Sequence, residues 1–519
     1  MHHPHPYATQ SLMLNASPFF VTTPIYYVND KPHIGHAYTT IAADVVARTL
    51  RLEGRQVLFL TGTDEHGQKV EQAAAKAGIS PQEFTDRVSQ NFRDLALRLN
   101  ISNDQFIRTT EPRHKAACQA LWQRLADNGH IYLGKYAGWY AIRDEAYYQE
   151  NELVDGKAPT GAPVEWVEEP SYFFRLSAFG DKLLKFYEDN PDFIAPASRR
   201  NEVLRFVEGG LKDLSISRTT FRWGVPVPGD ERHIMYVWLD ALTNYLTAVG
   251  FPEKTPDYAT FWPASLHLMG KDIVRFHAVY WPAFLMAAGL PVCRRVFAHG
   301  WWTNNGEKIS KSLGNVIDPL AIVDRYSVDA FRYFLLREVS FGSDGDFSEA
   351  ALQRRLHGEL ADAFGNLAQR VIAFIWKNLG GKVPISGIRT TDDVALLTQV
   401  RALPEIMRET AENQNFHKGL ESFMTVVTAA NVYIDHAAPW SLRKTDPARM
   451  ATVLVTLLET LRGLAIAMQP VIPTLSGAML DQLAIPATER LFIHANSDFY
   501  QEQSIILQQP TPLVQKIEI

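Results

Sequence analysis

Residues 19–28 (FFVTTPIYYV) form an unbroken apolar and β-branched run, which predicts a buried strand. Residues 37–54 carry Ile41, Val45, Val46 and Leu50 at helical spacing and close on Gly54, the pattern of a helix with a glycine stop. Residues 56–62 (QVLFLTG) are again continuously apolar, as in a central parallel strand covered on both faces. A second helical pattern follows TDEHGQKV. Strand, helix, strand, helix predicts an α/β domain with a doubly wound parallel sheet. Such sheets bind ligands outside the carboxyl ends of their strands.

Helical patterning continues from about residue 81 to residue 128. Residues 130–227 then change texture, with Tyr, Trp, Gly and Pro in short pieces, and predict a β-containing insertion. The α/β pattern resumes near His233. Residues 271–289 read as a helix with Pro282 inside it, and residues 294–302 as a strand before the polar loop TNNGEKISKSLGN. From about Asp318 the chain is nearly all helical, with helix-period segments at 350–379, 393–413, 417–436 and 451–468. The most membrane-like stretch is 278–292, which Pro282 interrupts and which is shorter than the ~20 residues a span needs. No membrane association is expected.

The chain has 519 residues, enough for about three domains. Hydrophobic residues at 46% and charged residues at 21% exclude global disorder. A net charge of -6 excludes a protein that coats nucleic acid non-specifically, while leaving room for a local basic groove. Two cysteines, Cys118 and Cys293, provide no CxxC and no disulfide framework, in keeping with a reducing cytoplasm. The first residues, MHHPHPYATQSLMLNAS, lack the basic and apolar regions of a secretory signal and are expected to be a mobile tail.

Two polar clusters stand out. HIGH, residues 33–36, follows the first strand. At a helix start His33 and His36 fall on one side, Gly35 opens the backbone to a ligand, and helix amino-end N–H groups favour phosphate. A pair of capping or core histidines has the same spacing. EKISKSLGN, residues 307–315, sets Lys308 and Lys311 around Ser310 between Gly306 and Gly314. Two ammonium groups on such a loop suit the charge developing on a leaving pyrophosphate; a solvated lysine loop reads alike.

HIGH early and KISKS late in a split α/β domain resemble the class I aminoacyl-tRNA synthetases, in which HIGH and KMSKS motifs hold ATP in a Rossmann-like fold. Ile309 replaces the Met of that motif. The segments PIYYVNDKPHIGHAYTT, LTGTDEHG, RNEVL, LSISR, YVWLDALTNY, GKDIVRFHAVYWPAFL and PTPL, spread in order over nearly the whole chain, are similar to the methionyl-tRNA synthetase family. That resemblance implies ATP-dependent activation of methionine and its transfer to tRNA(Met), with Mg2+ accompanying ATP. His33 and His36 would contact the ATP phosphates with Gly35, and Lys308, Ser310 and Lys311 would grip the triphosphate. The methionine pocket would be Ile25, Tyr27, Asp64, Trp238, Ala241, Tyr245, Ile273 and His277. Asp64 suits the substrate ammonium, and the aromatic residues suit a thioether. Leu242 stands where the family often has Pro. Asp272 and Arg218 match family positions near the site, as substrate contacts or as a structural salt bridge. Asn366 and Arg370 in NLAQR match the anticodon-reading helix and Trp440 the residue that stacks on an anticodon base.

The sequence also departs from the family. Many relatives carry zinc knuckles built from CxxC pairs, whereas Ala141 and Asp144 stand at the cysteine positions and KAPTGAPVEW has no cysteine or histidine. One carboxylate cannot make a four-ligand zinc site. A metal-free knuckle packed by Tyr140, Tyr147, Tyr148 and Trp166 is expected. The insertion is too short for the editing domain of the isoleucine, leucine and valine enzymes, and without room for a dimerising extension a monomer is expected. A cysteine enzyme would need zinc ligands, and nucleotidyltransferases with HxGH lack the helical domain. The expected division is a tail at 1–17, catalytic halves at 18–129 and 229–325, the insertion at 130–228, a stem-contact linker at 326–365, and a helical anticodon-binding domain with a returning carboxyl-terminal segment at 366–519.

Overall fold

The structure is a computed structural model that describes residues 17–28, 31–501 and 504–514. The expected tail lies outside these residues except for Ser17, and so do the last five residues of the PTPLVQKIEI segment. The chain forms two compact units: Pro18–Ala43 with Leu58–His299, and Asp44–Val57 with the chain from Gly300 onward.

The first unit is built on a six-stranded sheet in the order Gln105–Arg108, Val57–Asp64, Phe19–Tyr27, Leu266–Gly270, Val296–His299, Ile194–Ala195. Parallel registers set Val21 opposite Leu266, Leu60 opposite Gln105, and Leu268 opposite Phe297. From the central strand Phe19–Tyr27 the chain winds outward through Val57–Asp64 to Gln105–Arg108. It later resumes on the other side at Leu266–Gly270. The crevice between these two directions is the switch point at which such sheets bind ligands. Both long apolar runs are buried strands, the pattern of parallel strands covered on both faces. At Gly62 a Cβ would lie 2.1 Å from the Ile107 carbonyl oxygen, so only glycine allows this strand to sit so close to its neighbour.

Two strands escape the pattern reading. Residues 81–128 are not helical throughout: helices Pro81–Arg98 and Pro112–Asp127 flank the strand Gln105–Arg108. Its four residues (QFIR) are too few to alternate, and pairing with Leu60–Thr63 makes them a strand. The two-residue strand Ile194–Ala195 lies within the insertion sequence yet extends the six-stranded sheet by pairing with Val296 and Phe297. The insertion itself carries an antiparallel sheet, Ala146–Tyr148, Ile131–Ala141, Glu165–Phe174, Leu214–Ser215. The segment around Pro282 is a succession of helical types: a 3-10 turn at Lys271–Ile273, a π turn at Phe276–Tyr280 and an α-helix at Trp281–Ala287. Pro282 falls in the first turn of the α-helix, where its missing N–H costs no hydrogen bond.

The second unit is mostly helical. Helices Thr391–Asn413, Phe416–Ala437 and Pro447–Met468 pack together, and Asn366–Leu379 follows an 11-residue π-helical stretch at Arg355–Gly365. Among the described residues Pro447–Met468, rather than 278–292, is long and apolar enough to cross a membrane, but its apolar window is wholly buried. Its Glu459 and Arg462 pair at 2.8 Å, Glu459 accepts the Phe499 and Tyr500 N–H groups, and Arg462 donates to the His494 and Ser497 carbonyls. A buried ion pair is tolerated when its remaining hydrogen bonds are met, as here. Asp44, from the carboxyl half of helix Ile34–Leu52, belongs to this unit and pairs with buried Arg332 at 2.6 Å. Arg332 also donates to the Pro470 and Val471 carbonyls. Near the carboxyl terminus Trp376 and Gln482 bind the backbone of Gln508 and Thr511, strapping the returning segment onto the helices.

Candidate active site

His33 lies immediately before helix Ile34–Leu52, at the end of the crevice strand. Its backbone N–H donates to His36 Nδ1 at 3.0 Å, and the Gly35 N–H donates to His33 Nδ1 at 3.0 Å. Both Nδ1 atoms are therefore acceptors, so each neutral ring carries its proton on Nε2. Burial lowers the pKa of both imidazoles, that of His36 well below the ordinary value with His33 adding to the effect, while Asp272 partly offsets the fall at His33. At neutral pH the pair is two uncharged N–H donors, a form that suits phosphate oxygens. A Cβ at residue 35 would sit 2.9 Å from His33 Cε1, so the glycine lets the ring fold back. Tyr26 braces His36 edge-on at 4.8 Å and ties its hydroxyl to Thr40 at 2.6 Å.

The neighbouring pocket residues fall into two bonded groups. In the first, His277 Nδ1 donates to the Ile273 carbonyl at 3.1 Å, and the Tyr245 hydroxyl donates to His277 Nε2 at 2.7 Å. Trp238 lies edge-on to His277 at 6.2 Å and stacks on Phe276 at 3.8 Å. The π turn places His277 here, a common use of π turns at functional sites. Ala241 is buried on the helix Val237–Thr247 that carries Trp238 and Tyr245, and Ile25 packs on the core shared with Trp238 and Ile273. Burial drives His277 down to about 4, partly opposed by the Ile273 carbonyl and Asp272, so the ring is neutral.

The second group is acidic. Asp64 ends its strand almost wholly buried, with one carboxylate oxygen that has no hydrogen-bond partner. Burial raises its pKa well above the carboxylate range, and Asp240, Glu145 and Glu65 raise it further. Burial would also raise Asp240, but His66 and His114 outweigh it and hold that carboxylate ionised. The Tyr27 hydroxyl donates to Glu145 at 2.6 Å. A pocket that collects carboxylates and leaves one buried oxygen unpaired is built for a cation. Asp240, His66, His114 and Glu145 escaped sequence reading. Only His66 had a signal, its place in GTDEHG at a strand end. The ligand-type atoms of His114, Cys118 and Asp240 also converge. However, His114 Nε2 and Asp240 Oδ1 at 2.7 Å are hydrogen-bonded, too close for two ligands of one tetrahedral ion with bonds of about 2.0–2.2 Å.

Arg218 is not in a salt bridge with Asp272. Its buried guanidinium donates to Ser215 Oγ and the Ser217 carbonyl and lies over the rings of Tyr147 at 3.9 Å, Tyr236 and Tyr140. Tyr residues also pack the knuckle, where Tyr147 meets Tyr136 and Tyr140. Trp166 does not pack there: it is 51% exposed and rests edge-on against Trp139.

In the second unit the KISKS segment is a loop closed by Asn315. Asn315 accepts the Ser310 N–H at 2.9 Å and donates to the Lys308 carbonyl at 3.0 Å, while Asn304 donates to the Asn315 carbonyl. Lys308 and Lys311 are exposed, and Ser310 Oγ accepts the Leu313 N–H. In the same unit Arg370 lies 5.4 Å from the Trp440 ring and pairs with Asp435 at 2.6 Å. Asn366 is exposed one turn before Arg370 on the same helix. Trp440 is 44% exposed.

The family model described as tRNA synthetases class I (M) matches residues 19–163 and 160–372, and that for the anticodon binding domain of methionyl tRNA ligase matches residues 383–517. Methionine–tRNA ligases from Rickettsia felis and Rhizobium meliloti are 56% and 55% identical, each over 96% of this chain and 98% of their own length. A solved methionyl-tRNA synthetase from Mycobacterium tuberculosis, in complex with methionyl-adenylate, is 49% identical with a TM-score of 0.94, covering 96% of this chain and all of that one. The crevice and its motifs are those of a class I aminoacyl-tRNA synthetase. Within that class, the chain belongs to the methionyl-tRNA synthetase family.

His277 gives a pH test. Its folded pKa is lowered to about 4 from 6.5, so the unfolded state binds more protons between these values and stability falls as pH drops through them. Between pH 7 and pH 5 the wild type is expected to lose about 2 kcal/mol more stability than His277→Asn. Thermal unfolding of both proteins across that range measures it; parallel curves would show that the imidazole does not titrate as described.

Proposed function

We propose that the crevice activates methionine with ATP to form methionyl-adenylate and passes the methionyl group to the 3′ end of tRNA(Met). Family membership and the adenylate-bound relative support the reaction. The observation that carries the substrate assignment is the unpaired, buried Asp64 oxygen. The α-ammonium of an amino acid supplies the cation it lacks. Trp238, Ala241, Tyr245, Ile25, Tyr27, Ile273 and His277 then enclose the thioether, with sulfur–aromatic contacts of about 0.3–1.5 kcal/mol.

In the first step the methionine carboxylate attacks the α-phosphorus of ATP in line and pyrophosphate leaves. Positioning and charge stabilisation supply most of the acceleration. His33 and His36 direct Nε2–H donors to phosphate oxygens, Gly35 leaves room for the nucleotide, and Lys308, Ser310 and Lys311 hold the triphosphate. Mg2+ accompanies ATP as its counter-ion. In the second step the terminal adenosine hydroxyl of tRNA attacks the adenylate carbonyl. The divisions at 129, 228, 325 and 365 mark the working parts of this cycle, carried out by a monomer in the cytoplasm. The test is amino-acid-dependent ATP–pyrophosphate exchange with all twenty amino acids. Exchange with methionine alone is expected; exchange with another amino acid would overturn the pocket.

The anticodon is read by Asn366, Arg370 and Trp440. Asn and Arg suit base edges, and the partly exposed Trp440 ring beside Arg370 suits stacking on an unpaired base. Trp440→Ala is expected to leave exchange unchanged and to weaken tRNA charging by about 1–3 kcal/mol. Equal charging by the two proteins would remove Trp440 from the anticodon site.

The knuckle works without zinc, because its residues do not fit the metal. Ala141, Ala158 and Ala162 form a buried apolar cluster. The Asp144 carboxylate is saturated by the Thr160 and Tyr148 hydroxyls and Arg143, and Arg143 also donates to the Thr160 carbonyl at 2.7 Å. Elemental analysis of the untagged protein is expected to find no stoichiometric zinc, and stoichiometric zinc would refute a metal-free knuckle.

A further inference from the structure

Glu145 has no role in the chemistry above, yet its placement is unusual. It lies at the end of the turn joining strands Ile131–Ala141 and Ala146–Tyr148, in a left-handed conformation with φ 47°. Bulky non-glycine residues adopt that region at a cost. The turn closes with the Glu145 N–H on the Ile142 carbonyl. This geometry carries the side chain out of the insertion, where only 7% of the residue remains exposed. Its carboxylate accepts the Tyr27 hydroxyl at 2.6 Å and a backbone N–H from Lys69, at the start of helix Gln68–Ala77. A Cβ at Gly67 would lie 2.3 Å from Glu145 Oε1 and 3.1 Å from the Tyr27 hydroxyl. Gly67, at φ 116°, thus keeps open the space in which the two side chains meet.

A carboxylate this deep requires compensation. Lys69 lies 5.7 Å from the Tyr27 ring and acts on Glu145 by charge, as does Arg218 from its tyrosine cage. Asp64 and Tyr140 are the other titratable groups that act on Tyr27. Tyr27 is therefore held from its hydroxyl end by the insertion and from its backbone by the strand entering the crevice. A tyrosine whose hydroxyl is tied in this way loses the freedom to swing, and a wall held in its binding position spares the ligand the cost of ordering it.

We propose that Glu145 is a positioning residue for the amino-acid substrate: it fixes the Tyr27 ring as a wall of the methionine pocket, so that affinity for methionine depends on the fold of the metal-free hairpin. The proposal rests on the pocket assignment given above, in which Tyr27 faces methionine. A purely structural Glu145 would lower the amount of active enzyme and leave both Michaelis constants alone. A positioning Glu145 separates them.

The experiment measures ATP–pyrophosphate exchange for the full chain and its Glu145→Gln, Glu145→Ala, Tyr27→Phe and Glu145→Ala/Tyr27→Phe variants. Glu145→Ala is expected to raise the methionine KM by about 10-fold, the effect of one lost interaction of ordinary strength, while the ATP KM stays within twofold. Glu145→Gln keeps an acceptor oxygen and is expected to restore most of the methionine affinity. The double variant is expected to be no worse than the more impaired single one, because both remove the same contact. An unchanged methionine KM in Glu145→Ala, with Tyr27→Phe impaired, would overturn the proposal and leave the pocket standing. An unaffected Tyr27→Phe would likewise overturn the proposal, while the ring it keeps leaves the pocket standing. If Glu145→Ala does not fold, Tyr27→Phe removes the same contact from its other side and still decides it: an unchanged methionine KM would overturn the proposal.

Discussion

A single buried carboxylate organises the crevice. Asp240 is 1% exposed and is shared between His66 Nδ1 at 2.6 Å and His114 Nε2 at 2.7 Å. His66 follows the strand Val57–Asp64, His114 lies on the helix Pro112–Asp127, and Asp240 belongs to the helix Val237–Thr247. Three segments far apart in sequence thus close on one charge. Breaking such a buried pair from one side leaves an uncompensated charge, at about 3–5 kcal/mol, so the cluster admits few arrangements. Trp238, Ala241 and Tyr245 share the Asp240 helix, and the orientation of that helix sets where all three stand. The Cys118 thiol fills the remaining space beside His114 at 3.2 Å, and burial raises its pKa well above the ordinary value, keeping it an inert filler.

The same charge sets the polarity of the pocket. Glu65 is paired with Arg108 through two contacts at 2.7 and 2.8 Å, and Asp240 is hydrogen-bonded to His66 and His114. Asp64 alone keeps an unpaired oxygen. Burial and its acidic neighbours raise the Asp64 pKa, so a bound cation favours its ionised form, while the imidazoles at His36 and His277 are kept neutral by burial. A ligand with one cationic end and an apolar tail matches that distribution, and a second cation does not.

What the sequence disclosed follows from range. Strands Phe19–Tyr27 and Val57–Asp64 announce themselves because burial on both faces demands apolar runs, and the helices Thr391–Asn413 and Phe416–Ala437 because one face repeats every turn. HIGH and KISKS were legible as clusters at loop positions, and the pocket residues only as a set carried by the family resemblance. Strands such as Gln105–Arg108 and Ile194–Ala195 are made by their partners and have little signature of their own. Glu145 in RDEAYY reads as one more solvated turn acid. Its burial depends on Tyr27 and Gly67, more than seventy positions away, which no local pattern encodes. Trp166 erred in the opposite sense, since an aromatic on an antiparallel strand has even odds of facing outward.

The ion pair between Asp44 and Arg332 bears on the order in which the chain is made. Asp44 leaves the ribosome early, within a helix whose first half joins one unit and whose second half joins the other. Its partner lies 288 residues later. At a synthesis rate of about 5–20 residues per second, that carboxylate has Arg48, one turn along its own helix at 2.7 Å, for roughly a quarter of a minute or more before Arg332 arrives. The carbonyls of Pro470 and Val471, which complete the arginine's hydrogen bonds, arrive later still. The tertiary contacts of Asp44 are therefore completed only as the last helices emerge, so the carboxyl-terminal half serves an early helix as well as its own fold.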